Sequence, residues 1–210
     1  MTAREHDERG VPGTIELRAG DGASVTIDAS TETVVVRKGG FSRVLSFDEA
    51  LLLSFRRFHG PWRTALARTL TRIGDAQSWT LVGLACIATF TRHGVRLGLR
   101  LGVATLLATA LSQALKRSTT RPRPDVSIAG FEALAANPDA FSFPSGHTAA
   151  AFGVAVAFAD EPYGLGPAAL LLAVGIGLSR VYLGAHYPID VAAGGLLGVA
   201  SGLAARLIVS

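Results

Sequence analysis

"HYPIDVAAGGLLGVASGLAARLIVS" (residues 186–210) is the stretch whose reading decides the fold. Between Pro188 and Ile208 only Asp190 and Arg206 are charged, one near each end. A helix needs about 20 predominantly apolar residues to cross ~30 Å of hydrocarbon, so this run reads as a membrane span. Pro188 suits the first turn of that helix. Gly194, Gly198 and Gly202 recur every four residues, a spacing that bares one face of the backbone for close helix packing. His186 and Asp190 do not fit so bland a segment. Ionisable groups in or beside a span are costly and usually functional.

Four further apolar stretches precede this one, at about 77–92, 97–116, 144–160 and 165–184. The expected fold is therefore an all-α membrane protein, a bundle of about five transmembrane helices. Composition agrees: 49% of the 210 residues are hydrophobic, 17% are charged, and 24 are glycine, more than the soluble average of about 7% would supply. The formal net charge is +4, but the bases flank apolar segments instead of forming one solvated tract. That placement favours lipid headgroups or an anionic substrate and argues against nucleic acid. The lone Cys86 lies in an apolar run and has no internal disulfide partner.

Ahead of the spans, residues 47–73 repeat apolar positions at helical spacing beside Arg56, Arg57, Arg63, Arg68 and Arg72. Each arginine at the centre of a span costs roughly 2.5–3.5 kcal/mol on insertion scales, so this segment reads as an amphipathic helix in the interface, broken at Gly60–Pro61. Residues 1–46 are polar. "TIELRA" (14–19), "SVTIDA" (24–29) and "TVVVR" (33–37) alternate with period two between glycine-rich breaks, the pattern of a small β-meander; a weakly ordered tail is the other reading. No apolar signal-peptide core is present in residues 1–40. The domain division expected is a polar segment, 1–46, and a membrane domain, 47–210.

If each apolar stretch crosses once, three polar clusters reach the same face. "KRSTTRPRP" (116–124) ends the second stretch, "PSGH" (144–147) opens the third, and "SRVYLGAHYPID" (179–190) joins the fourth to the fifth. Taken singly, each has a structural reading: basic anchor at the interface, helix cap, salt-bridged pair. Taken together they put Lys116, Arg123 and Arg180 beside the mouth of a helix at Ser145–Gly146, where guanidinium forks, backbone N–H groups and the helix dipole all favour a phosphate. Asp190 follows His186 by four residues and could accept from one ring nitrogen, leaving the other nucleophilic.

The spacing Lys-x6-Arg-Pro (Lys116, Arg123, Pro124), Pro-Ser-Gly-His (144–147) and Ser-Arg-x5-His-x3-Asp (Ser179, Arg180, His186, Asp190) resembles the signature of the type 2 phosphatidic acid phosphatase family, which is related to vanadium haloperoxidases. Spacing from Lys116 selects Arg123 over the neighbouring Arg121. The resemblance covers the five-span core and is nearest to the shorter bacterial lipid-phosphate phosphatases, since the first of six spans seen in many members has no counterpart here. It implies that His186 attacks phosphorus to form a phosphohistidine, that Asp190 orients it, that His147 protonates the leaving group, and that Lys116, Arg123, Ser145, Gly146 and Arg180 bind the phosphate.

No cofactor is expected. His59 and His93 are isolated, and Asp125, Glu132 and Asp139 are too scattered along one loop for the carboxylate cage that magnesium or calcium prefers. The partners expected are the bilayer and a lipid-phosphate substrate: a polyprenyl diphosphate, phosphatidic acid or phosphatidylglycerol phosphate. A lipid-phosphate binding module without turnover and a vanadate-dependent haloperoxidase are the alternatives; the intact His147, His186 and Asp190 oppose the first, and the apolar spans oppose the second. An excess of arginine on the active face places that face and the N-terminus in the cytoplasm by the positive-inside rule.

Overall fold

The computed structural model describes residues 2–3, 14–18, 24–28, 33–37, 40–128, 130–135 and 139–210. Contacts divide the chain into two compact units, Met1–Leu51 and Leu52–Ser210. In the first, β1 (Thr2–Ala3), β2 (Thr14–Arg18), β3 (Ser24–Asp28) and β4 (Thr33–Arg37) pair antiparallel in sequence order, with Ile15 opposite Ile27 and Val25 opposite Val36. Helix α1 (Gly40–Ser54) carries the division.

Among the described residues of the second unit, the regular elements are helices. A 3-10 turn (Phe55–Phe58) leads to α2 (Pro61–Ile73), so the segment read as one amphipathic helix is broken at Gly60–Pro61 as its sequence predicts. Then come α3 (Ala76–Ile87), α4 (Arg92–Thr119), the single turn α5 (Pro124–Ser127), α6 (Gly146–Ala157), α7 (Leu165–Tyr182) and α8 (Pro188–Ile208). Of these, α4, α7 and α8 are long and apolar enough to cross a membrane. The other two apolar stretches make helices of 12 residues, about 18 Å long at 1.5 Å per residue. They fall short because polar punctuation closes them early: Asp75 precedes α3, Ser145 precedes α6, and Asp160 and Glu161 follow it.

Small residues decide the packing. A Cβ on Gly194 would lie 2.5 Å from the Ser145 carbonyl, and one on Gly202 would lie 2.7 Å from the Gly153 carbonyl. The four-residue glycine spacing of α8 is thus used against α6, whose facing side is Ala149, Phe152, Gly153 and Val156. Gly153 of α6 also meets Ala104 of α4. This sandwich fixes the mouth of α6 between the C-terminal end of α4 and the N-terminal end of α8. The surface is inverted relative to a water-soluble domain: Leu106, Leu171, Leu196 and Leu207 are exposed, whereas Lys116, Arg123, Arg180, His186 and Asp190 are buried. Apolar side chains outward and ionisable groups inward suit a hydrocarbon surrounding.

Candidate active site

The buried charges converge at one end of the bundle. Thr120 caps the end of α4, and its left-handed φ of 46° turns the chain sharply after the last turn that carries Lys116. Arg121 to Pro124 follow, and the prolines hold Arg123 in an extended conformation (φ −78°, ψ 161°). Side chains two apart on extended backbone share a face, which lets both Arg121 and Arg123 reach the mouth of α8. On the far side, Gly184 reverses the chain between α7 and α8 with φ 71°. A side chain there would be strained and would strike the Phe131 ring.

His186 lies in this reversal, 1% exposed. Its Nδ1 is 2.7 Å from the Ser142 carbonyl oxygen. A carbonyl only accepts, so Nδ1 carries the proton and Nε2 presents a lone pair. That nitrogen is 3.4 Å from Arg123 Nη1, which also donates to the Ala185 carbonyl at 2.6 Å. Burial first, then the charges of Arg180, Arg123 and Lys116, push the His186 imidazole well below its ordinary value despite the Ser142 bond. These effects favour the neutral ring.

Asp190 is near but is not the hydrogen-bond partner that its four-residue spacing suggests. Its carboxylate is 3.7 Å from His186 Nδ1. It accepts instead from Arg121 Nη1 at 2.6 Å and from the Tyr187 N–H at 2.9 Å. Two orphan needs are met at once: the N-terminus of α8 receives an acidic cap, and the buried carboxylate receives a cation. Arg121 also lies over the Tyr187 ring, 4.1 Å from its centroid. The Asp190 carbonyl accepts from Ser145 N at 2.9 Å, which ties the mouths of α6 and α8 together.

At the α6 mouth, Thr148 Oγ1 donates to Ser145 Oγ at 2.9 Å, and Gly146 sits over Ser112 of α4. His147 Nε2 is 2.8 Å from an oxygen of Asp75, the residue just before α3. Arg180 Nη1 is 3.4 Å from Thr71 Oγ1, which pairs with Ser179 at 2.9 Å. Lys116 and Arg123 both form ion pairs with Asp139. Among the described residues, no three histidine, cysteine or acidic side chains gather to hold a metal ion.

The eight site residues expected from sequence lie at this end of the bundle, Gly146 and His147 partly exposed and the other six buried. The family model described as PAP2 superfamily matches residues 97–210, a stretch that contains all three polar clusters. The chain belongs to the PAP2 superfamily. It is 28% identical to the transmembrane PAP2 type phosphatidylglycerolphosphate phosphatase from Bacillus subtilis, with a TM-score of 0.64 over 79% of this chain and 86% of that one. It is equally 28% identical to Aquifex aeolicus LpxE, with a TM-score of 0.63 over 75% and 93%. Among curated proteins, it is 47% identical over 62 residues to the bacitracin transport permease protein BcrC of Bacillus licheniformis, covering 30% of each chain. It is 40% identical over 87 residues to the putative undecaprenyl-diphosphatase YbjG of Escherichia coli, covering 41% of this chain and 43% of that one. The chain matches less than half the length of either curated relative.

Around the PAP2 signature the structure adds Thr71, Asp75, Arg121, Asp139 and Ser142, none of which the sequence reading places in the site. Arg121 had a signal, the duplicated Arg-Pro pair. Asp75 stands alone between two helices, and Ser142 contributes only a carbonyl, which any residue carries.

Proposed function

We propose that this PAP2 protein is a membrane-embedded lipid phosphatase that hydrolyses a lipid phosphate or diphosphate through a phosphohistidine. The observation that carries the reading is the neutral His186, with Nδ1 tied to the Ser142 carbonyl and Nε2 turned to the Arg123 guanidinium. Nε2 attacks phosphorus in line while the bond to the leaving oxygen breaks, and His147 gives that oxygen a proton. Water then attacks the phosphohistidine, losing a proton to His147, and orthophosphate departs from a regenerated imidazole. Lys116, Arg123, Arg180 and the N–H groups at the mouth of α6 hold the non-bridging oxygens, where developing charge is best stabilised by preorganised donors. Asp75 holds the His147 ring for both proton transfers. The catalytic domain is read as residues 47–210, preceded by a β-rich segment, with the two 12-residue helices completing a five-helix membrane bundle.

The substrate's hydrocarbon has a place beside these groups. A cavity of about 450 Å³ runs between α3 and α4, lined by Trp79, Gly83, Leu84, Gly98, Gly102 and Leu106 among others. It begins close to the site: Ala76 follows the Asp75 that holds His147, and Thr109, also in the lining, precedes by one turn the Ser112 beneath Gly146. Lipid tails are as apolar as this wall, so the groove orients the tail without adding hydrophobic driving force. A Cβ on Gly102 would meet open space, and Gly102→Phe fills it. The expected result is a fall in kcat/KM at least about tenfold larger for a long-chain lipid phosphate than for a short-chain one, read from paired kinetics in detergent.

Polyprenyl diphosphate is the first substrate to test, because the YbjG relative is a putative undecaprenyl-diphosphatase; phosphatidylglycerol phosphate and phosphatidic acid complete the panel. Phosphate release from at least one of them, undiminished by EDTA, is expected in detergent micelles. Silence of folded protein on all three overturns the reading.

A further inference from the structure

Lys116 and Arg123, two of the bases that must receive the phosphate, already hold a carboxylate of the chain itself. One oxygen of Asp139 pairs with Lys116 Nζ and the other with Arg123 Nη2, while Arg123 Nε donates to the Asp139 main-chain carbonyl at 2.8 Å. The side chains of the two bases are 5% and 4% exposed and that of Asp139 is 29% exposed. The carboxylate is thus the solvent-side member of a buried trio, the one that can leave outward. The same guanidinium carries Nη1, 3.4 Å from His186 Nε2, so an anion held by Arg123 lies beside the nucleophile. Burial alone would raise the Asp139 carboxyl, but the hydrogen bonds and charges of Lys116 and Arg123 outweigh it and hold it at about 2. Protonation does not clear the site near neutral pH; another anion must.

We propose that Asp139 is an internal competing anion, which a substrate phosphate must displace from Lys116 and Arg123 and which thereby sets the affinity threshold for entry. The inference rests on the phosphatase reading above. Displacement exchanges one charge for another, so the gain depends on what arrives. A phosphodiester headgroup carries a single negative charge and gains nothing over the carboxylate it replaces. A terminal phosphate carries about 1.5 to 2 negative charges near pH 7, and a diphosphate carries more. Ordinary bilayer phospholipids, which are diesters at high local concentration, are thereby kept off the two bases, and terminal phosphates are admitted.

The test uses the full chain in detergent micelles hydrolysing a water-soluble phosphate monoester, with phosphatidylglycerol, a monoanionic diester, as competitor. In Asp139→Asn and Asp139→Ser the inhibition constant for phosphatidylglycerol is expected to fall by on the order of tenfold, as removal of a like charge competing for the same two bases implies. KM for the monoester is expected to fall with it, and Asp139→Glu should return both constants towards wild type. An unchanged or weaker phosphatidylglycerol constant in both neutral variants overturns the proposal and leaves Asp139 a structural tie. Where a variant turns over too slowly, displacement of radiolabelled orthophosphate by phosphatidylglycerol yields the same constant. A wild type that releases no phosphate from any lipid phosphate or diphosphate is a different failure, that of the phosphatase reading.

Discussion

His186→Ala is expected to lower phosphate release at least about 10⁴-fold, the scale seen when a covalent nucleophile is removed, while the protein still elutes as a folded species in detergent. No neighbour can take over the attack. Arg123 and Lys116 are cations, and His147 is bonded to Asp75 on the α3 side. Acid-quenched wild type should carry a labelled, acid-labile phosphoryl group that is absent from the variant. Turnover at the wild-type rate in His186→Ala would remove the mechanism altogether. The pH profile gives a second check. Because burial and the surrounding bases depress the His186 imidazole, its neutral form persists below the usual value of about 6.5, and no loss of nucleophile is expected as pH falls through that value. Stability has the opposite sign: below about 6.5 the unfolded chain binds a proton that the folded site refuses, so acidification through that range lowers the free energy of unfolding.

The second large effect belongs to His147. General acid assistance is typically worth 10² to 10⁴-fold, and the loss in His147→Ala should scale with the basicity of the oxygen that departs. An alkoxide leaving from a phosphate monoester needs a full proton, so phosphatidic acid hydrolysis should suffer most. A diphosphate releases a phosphorylated product that is already a good leaving group, and an activated aryl phosphate needs the least help. The measurement is kcat on these three classes for wild type and variant. Equal losses on all three would assign His147 to phosphate binding instead of proton transfer. Asp75→Asn, which keeps the shape of the partner but removes its charge, should reproduce a smaller version of the same leaving-group dependence.

Much of this molecule could be read before any coordinates, for a physical reason. A hydrocarbon surrounding makes every ionisable side chain in a span conspicuous, so His186, Asp190, Arg180 and Lys116 stood out against apolar neighbours. Counting one crossing for each apolar stretch gave a shared face as the expectation. The glycines of α8 announced a close contact by their spacing, and proline marked the breaks at Gly60–Pro61 and at the start of α8. Helix length was less legible, because a polar residue at a helix end and one at a membrane boundary look alike in sequence. The stretches around α3 and α6 therefore read as full spans, yet they make 12-residue helices.

Partnership was least legible of all. Spacing of four residues correctly put Asp190 near His186, but spacing cannot tell 3.7 Å from hydrogen-bond distance. The Ser142 carbonyl, 44 residues upstream, took the ring proton instead, and Arg121 took the carboxylate. Asp75 and Asp139 carry no motif, since a lone carboxylate in a connecting segment has no periodicity to betray what it faces. The sequence by itself determined the membrane bundle, the family and the ionisable groups that line the site, because those depend on hydropathy and on local spacing. Only the tertiary structure decided which charge meets which, because hydrogen bonds and ion pairs act over about 3–4 Å and the segments that supply the partners are brought that close by packing alone.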